Sequence, residues 1–483
     1  MNKKWLVVGL FLVVFILRVT LSYTVPNLTP DSYFHLRQVE EIRTNGVPLY
    51  NDPLSYGGRQ LFFLPLFHYL VAGLSFLVPL SLIVKLLPNL LFASLTLIVY
   101  LISYQLTKNE TSSLISAIVV GIMPIFYQTN SFTPLSLFLP SFFLTIYFYL
   151  NTKKNIFPYL ISFLILSLIT PAALLLLLAY IIYLILSWLE NRNYHNIELE
   201  LITFSIFFFI WLQFLFYKNY LINEGTAFIW QNVPTQLLSN YFASLDMFQV
   251  LMLIGIIPVI AGAYAFYRSL FELKQRTLFL LISLVISLLI LLLLNLIRFD
   301  LGISVLGIIL AIFFAQFYQD IFEYMDKLKV KQFNFYLPLI TIVLLVLTVF
   351  PYSLFVVYGQ DTPTNEKIIA YQWLAENTKK NEGVLALLEE GHLVTYYGQR
   401  KNMIDENYLG IKDVETRYYD LRLMQETKFQ TRLINLMDKY DLRYFVYHSE
   451  DLPSFDQNIL GNECFKLIYR NETLIYEREC ELR

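Results

Sequence analysis

The side chains that could do chemistry are few and grouped. The largest group opens at Asp31, in the run Asp31-Ser32-Tyr33-Phe34-His35-Leu36-Arg37, and continues through Glu40, Glu41, Arg43, Asp52 and Arg59. Carboxylates accept protons or ligate cations, and arginines grip phosphate oxygens with a forked pair of hydrogen bonds. A second group is Arg298-Phe299-Asp300, between two apolar runs. Arg298 there is either a guanidinium snorkelling to an interface or a phosphate ligand. Glu224 and Gln231 mark a third group, Glu389 and His392 a fourth. Asp31 itself has two readings at this point. It follows Pro30 where a helix should begin, and a carboxylate in that place caps free backbone N–H groups. Charges held against a bilayer are, on the other hand, more often functional than decorative. His35, four residues on, shares the predicted helix face, as a hydrogen-bond partner for Asp31 or as a plain surface residue.

Membrane helices must position these groups. The chain has 483 residues, 57% of them hydrophobic and 15% charged, against about 25% charged in soluble domains. The apolar residues fall in blocks up to about Val357, each near the roughly 20 residues that cross a hydrocarbon core, and more than half of the charge follows them. This predicts a polytopic α-helical membrane protein with a soluble domain at its C-terminal end: 1–358 in the membrane, with an external loop 23–60, and 359–483 outside. Lys3 and Lys4, Lys108, Lys153 and Lys154, Arg192, Arg268 to Arg276, and Lys327 to Lys331 lie in alternate loops, which the positive-inside rule places in the cytoplasm. Parity then fails if both 61–79 and 82–106 cross. Pro65, Pro79 and Pro88 mark 61–79 as the re-entrant or interfacial piece, leaving about 11 to 13 membrane-spanning helices. The N-terminus is expected in the cytoplasm and the C-terminal domain outside the plasma membrane. No cleavage site follows the first apolar run, which reads as a retained helix. A net charge of −2 gives no nucleic-acid signal. The two cysteines, Cys464 and Cys480, could pair on an oxidising face or stay apart. In the tail, alternation at Val394 and Tyr396 and at Tyr444 and Val446 predicts strands, and 411–440 reads as helical, so the domain is α/β or α+β.

The order Asp31-x-Tyr33-Phe34-His35-Leu36-Arg37, Gly46-x-Pro48, Asp52-Pro53, Tyr56-Gly57-Gly58-Arg59 and then an apolar segment with Pro65 resembles the first external loop of the oligosaccharyltransferase catalytic subunit, a membrane glycosyltransferase of the GT-C class. The resemblance implies transfer of a sugar or oligosaccharide from a polyprenyl or dolichyl phosphate or pyrophosphate carrier to a protein, lipid or glycan acceptor on the outer face. It places Asp31 at the reaction centre, activating the acceptor or holding a divalent cation. It makes Arg298 a ligand of the donor phosphate, with Arg37 and Arg59 as further candidates. His35, Asp52, Glu224, Gln231, Glu389 and His392 are the candidate acceptor or loop positions. The C-terminal run from Ile369 to Arg400 resembles the family's soluble domain.

Two departures bear on the chemistry. Where the family carries Trp-Trp-Asp-Tyr-Gly, this chain has Leu387-Leu388-Glu389-Glu390-Gly391. Where it carries a second acidic motif, this chain has Gln128-Thr129-Asn130-Ser131-Phe132-Thr133-Pro134, without a carboxylate. Mg2+ or Mn2+ is the cofactor the resemblance implies, with Asp31 as its ligand, yet such a cation wants several oxygen ligands. Two other classes stay open: a non-catalytic homologue that binds lipid-linked sugar, and a lipid or solute transporter, against which the lack of an internal repeat counts. The five histidines are scattered, and no nucleophile triad, zinc spacing or phosphate loop is present.

Overall fold

The computed structural model describes residues 3–191, 196–238, 246–328, 333–448 and 464–480. The chain opens with α1 (Lys3–Thr24), α2 (Pro30–Asn45), a two-strand hairpin of β1 (Asn51–Asp52) and β2 (Arg59–Gln60), α3 (Leu66–Leu74) and α4 (Leu80–Thr107). Among the described residues seven helices are long and apolar enough to cross a membrane: 5–24, 80–107, 171–189, 196–222, 256–273, 299–327 and 336–358. Four shorter apolar helices, 110–122, 135–150, 157–169 and 277–293, stand among them. The nine residues of α3 rise only about 14 Å, half the hydrocarbon thickness of about 30 Å, so this segment cannot span. That is the piece the charge parity removes.

The helix Phe299–Lys327 is the hub of the bundle, with 83% of its apolar window buried. Close approach to it needs small residues. A Cβ on Gly262 would come within 2.7 Å of the Leu310 carbonyl oxygen, so the helix Ile256–Arg268 can press its backbone onto the hub only because that side chain is missing. The apolar block 248–267 does not form one helix. It breaks at Gly255, whose φ of +101° is one that side-chain-bearing residues avoid.

After the last membrane helix the chain builds a mixed sheet of β3 (Gly383–Leu385), β4 (Lys401–Asn402), β5 (Leu442–His448), β6 (Phe465–Arg470) and β7 (Thr473–Arg478). Its order is β4-β3-β5-β7-β6, with the first three strands parallel and the last three antiparallel. Helices Asn365–Asn377, Val414–Glu426 and Gln430–Lys439 accompany it. Cys464 and Cys480 are bonded, with Cα atoms 4.9 Å apart, and clasp the open end of the β6–β7 hairpin. One expectation is corrected. Residues Gly391–Tyr396 form a short helix, not a strand. Gly391 through Thr395 are all buried, so the alternation at Val394 and Tyr396 does not separate a wet face from a dry one and carries no strand information. This helix lies against α2, where Tyr33 meets Tyr396 and Tyr397 at 5.4 and 5.1 Å between ring centroids.

Beneath it sits a buried ionic network. Glu390 accepts from the Tyr371 hydroxyl at 2.7 Å and meets Lys367 at 3.2 Å and His448 Nε2 at 3.0 Å. The other ring nitrogen of His448 lies 2.9 Å from Thr473 Oγ1. Burial alone would raise the proton affinity of Glu390. The hydrogen bond and charge of His448, then Lys367 and Tyr371, overrule it and hold the carboxyl at about 2. Replacing Glu390 by glutamine leaves buried His448 and half-buried Lys367 against an uncharged group and is expected to cost about 3 kcal/mol, read as a lower midpoint in a melt of the full chain in detergent. The contribution of Glu390 is fully present above the ordinary glutamate value of 4.5 and is lost as pH falls toward about 2. The gap between wild type and variant should therefore close across that window; a gap that persisted below it would show that the charge is not the source.

Candidate active site

A cavity of about 710 Å³ opens between α2 and the segment after it, the ends of membrane helices and the C-terminal domain. Its polar wall carries Asp31, His35, His68, Arg298, His392 and Glu406, and its apolar wall includes Leu64, Ile169, Tyr217 and Phe299.

Asp31 is not a helix cap. Thr29 occupies the N-cap position of α2 and Pro30 the first turn, whose fixed φ suits it there. Asp31 is the next residue, free to face the cavity. The start of α2 is pinned by the loop 128–134. Thr29 N donates to the Asn130 carbonyl at 3.2 Å. Phe132 N donates to Ser32 Oγ at 2.9 Å, and Asn130 Nδ2 donates to the Val25 and Asn27 carbonyls at 2.7 and 2.9 Å. Gln360 Oε1 accepts from Asn130 N at 3.0 Å. Protein hydrogen bonds alone thus fix where Asp31 stands.

Arg298, the residue that begins the hub helix, brings its guanidinium to 3.7 Å from Asp31 and 3.3 Å from Asp300. Glu406 comes from the turn after β4 and shares a hydrogen bond with Asp31. Sequence reasoning missed it, because a lone glutamate in a turn carries no periodic or motif signal. It is held from behind by its neighbour. Asp405 is fully buried, paired with Arg59 at 3.2 Å, and it accepts from Ser55 Oγ at 2.6 Å; the Tyr56 hydroxyl donates to its carbonyl at 2.6 Å.

Two carboxyl groups this close cannot both be ionised. Burial would raise the proton affinity of Asp31, but the Glu406 hydrogen bond, then the charges of Arg298 and His392, bring it down. Burial raises Glu406, and its hydrogen bond to Asp31 and the Asp31 charge raise it further.

His35 does not bond Asp31. Its Nδ1 lies 2.9 Å from His68 Nε2. His392 packs its ring 5.5 Å from that of Phe34. Gln231 lines the cavity from a strap over its mouth. The strap is anchored at both ends: Trp230 Nε1 donates to the Leu294 carbonyl at 2.9 Å, and Thr235 N donates to Glu415 at 2.8 Å. The remaining expected residues are elsewhere. Arg37 and Asp52 form a bidentate pair at 2.7 and 2.9 Å on the far side of α2. Arg59 is spent on Asp405, with 3% of its side chain exposed. Glu389 does not line the cavity, though its charge acts on Glu406. The Glu224 side chain lies outside the described residues.

Asp31 and Glu406 are the carboxyl groups that the cavity would offer to Mg2+ or Mn2+. Such ions take about six oxygens in a fixed shell. Among the described residues no three His, Cys, Asp or Glu side chains stand in ligating geometry. Of the loop 128–134 only Pro134 reaches the cavity, so that loop brings no carboxylate to it.

The membrane bundle and C-terminal sheet that close on this cavity have the fold of solved structures of an archaeal oligosaccharyltransferase and of ArnT. The oligosaccharyltransferase of Archaeoglobus fulgidus in its apo form shares it with a TM-score of 0.68 at 12% identity, over 91% of this chain and 70% of that one. AglB from the same organism, in complex with an inhibitory peptide and a dolichol-phosphate, gives 0.69 at 13%, over 93% and 70%. ArnT from Cupriavidus metallidurans bound to undecaprenyl phosphate gives 0.51 at 11%, over 99% and 98%. No protein-family model and no curated sequence matches the chain.

The buried histidines give this site a pH signature. Burial, then the charges of His392 and Arg298, hold His35 at about 3 against the pull of Asp31, and burial with His35 holds His68 well below 6.5. Both stay neutral in the folded protein while an exposed imidazole protonates below 6.5, so stability is lost as pH falls from 6.5 toward 3. The expected slope is about 1.4 kcal/mol per pH unit for each histidine. Melting between pH 7.5 and 5 should show it, and His35→Phe with His68→Phe should flatten it. An unchanged slope in the double variant would place its source elsewhere.

Proposed function

We propose that this protein transfers a sugar or oligosaccharide from a polyprenyl- or dolichyl-phosphate type of carrier to an acceptor on the extracytoplasmic face of the membrane. The observation that carries the reading is the meeting of Asp31 and Arg298, from distant parts of the chain, 3.7 Å apart on one cavity. That cavity joins apolar side chains such as Phe63, Ile169 and Val233 to the charged groups of Asp31, Arg298 and Glu406, which suits an ester of phosphate with an apolar tail. The solved structures of two of these neighbours hold dolichol-phosphate and undecaprenyl phosphate, and those chemistries fit here. The disulfide favours an oxidising side for the C-terminal domain, and the alternate basic loops favour the same orientation.

In this reading the acceptor gives its proton to the Asp31 carboxylate as its heteroatom bonds to C1 of the sugar. The bond from C1 to the phosphate oxygen breaks, and its electron pair leaves with the carrier. Arg298 pairs with the charge that develops on that oxygen. His392 and Gln231 face the same space and are the residues in place to meet the acceptor. The Leu387–Gly391 segment departs from the family's acceptor motif, so an asparagine acceptor is not assumed.

The test is transfer from total lipid-linked sugars of the source organism by the full chain in nanodiscs. Asp31→Asn is expected to lose activity about 100-fold or more without a lower melting midpoint. Arg298→Gln should lose about 10- to 100-fold, as removal of a charged hydrogen bond does. Transfer unchanged in Asp31→Asn would remove the proposal. Donor binding with no transfer by the wild type would make the chain a non-catalytic binder of lipid-linked sugar.

A further inference from the structure

We infer that a second large cavity, on the face of α2 turned away from Asp31, is a binding site for an oligosaccharide chain. The role of the bound glycan rests on the transfer reading; the binding itself rests on the lining alone. The cavity measures about 1040 Å³, more than the one at Asp31, and lies between α2, the helix Asn365–Asn377 and the segment 395–401. Its lining is polar and of mixed sign: Glu376 and Lys380, the amides of Gln372 and Asn381, and the rings of Tyr396 and Tyr397. A lipid tail would find little apolar surface here, and a polyphosphate would meet carboxylates. A sugar chain uses both parts of such a lining. Its C–H faces stack on aromatic rings, and its hydroxyls donate to carboxylates and accept from ammonium and amide groups. A peptide would bind by extending the sheet, but the edge strand β4 is closed to it, since Asn402 N already donates to the Leu54 carbonyl at 3.0 Å.

The lining is held in place before anything binds. The Tyr396 hydroxyl donates to Glu40 at 2.8 Å, and Tyr33 packs against both tyrosine rings. Arg400, 1% exposed, donates to the Leu374 and Ala375 carbonyls at 3.0 and 2.9 Å, to Thr378 Oγ1 at 2.7 Å and to the Gln399 carbonyl at 3.0 Å. It thereby fastens the end of the helix that carries Gln372 and Glu376 to the turn before β4. Gln372 and Asn381 are exposed, and their side chains bond to no other described residue, so their hydrogen-bonding groups are open to a ligand. The same two helices serve both cavities. α2 presents Asp31 to one and Glu40 to the other, nine residues on and so about 14 Å along its axis. The helix Gly391–Tyr396 presents His392 to one and Tyr396 to the other. That separation is within the length of a short oligosaccharide, so the second cavity is in reach of the far part of a donor glycan or of a glycan acceptor.

The test uses the full chain in nanodiscs and oligosaccharides cleaved from total lipid-linked sugars of the source organism, labelled at the reducing end and followed by fluorescence anisotropy. Wild type and Asp31→Asn should bind them equally. Gln372→Ala combined with Asn381→Ala should weaken binding about 10-fold at an unchanged melting midpoint. No binding by wild type at millimolar glycan, or binding that the double substitution leaves unchanged, would overturn the inference. So would a labelled unglycosylated peptide library that binds where the glycans do not and is lost with the same substitutions. Transfer kinetics then read the source of the glycan. A higher KM for an oligosaccharyl donor in the double variant, with kcat and the KM of a single-sugar donor unchanged, assigns the cavity to the donor; a higher KM for a glycan acceptor alone assigns it to the acceptor. A wild type that binds the released glycans through Gln372 and Asn381 but transfers nothing keeps this site and removes the transfer reading.

Discussion

Arg59 and Asp405 form an ion pair from which water is almost entirely excluded, with side chains 3% and 1% exposed. Such a pair adds little net stability over an apolar substitute, but losing one partner strands a charge in a low-dielectric place at a cost of several kcal/mol. The two parts of the chain are thereby forced to stay together. Around the pair, Tyr56 lies under the guanidinium at 4.7 Å, Arg59 also donates to the Asn407 carbonyl, and Asn402 Oδ1 accepts from Tyr56 N at 2.6 Å. Tyr56 itself takes a left-handed φ of +54°, a conformation that a bulky side chain adopts only when its surroundings insist on it. The next residue after Asp405 is Glu406. The latch is therefore what delivers the second carboxyl to Asp31.

The membrane sets the other half of the geometry. α3 is too short to cross, and it brings His68 to His35. Arg298 is the N-cap of the hub helix, so its charged side chain is presented at the cavity and not within the bundle. Phe62, Phe63 and Val233 of the connecting segments line that cavity beside Ile169 and Tyr217 of the helices.

Much of this was legible in the residues, and the failures have a common cause. Asp31 stood out because charge is scarce and its run was distinctive; the short α3 followed from the parity of basic loops. Arg298 could be placed at an outer junction by the same parity. Arg37 and Arg59 looked equally apt for phosphate, and sequence could not separate them, since a guanidinium grips an internal carboxylate with the same fork it offers to phosphate. Their partners Asp52 and Asp405 are known only once the chain is folded. The same holds for Glu406, whose place depends on a contact between segments nearly the whole chain apart. The helix Gly391–Tyr396 was misread because burial on every side erases the periodicity that tells strand from helix.

The strengths of these ion pairs differ in a way that matters for chemistry. Arg59 cannot be released without a large penalty, so it can only be structural. Arg298 is 68% exposed and divides itself between Asp31 and Asp300 at 3.7 and 3.3 Å. Exposed pairs of this kind contribute about 0–1 kcal/mol. A forked contact between guanidinium and phosphate is stronger than an exposed pair of this kind, so the difference in burial separates an arginine that can only hold the fold from one that stands at the cavity.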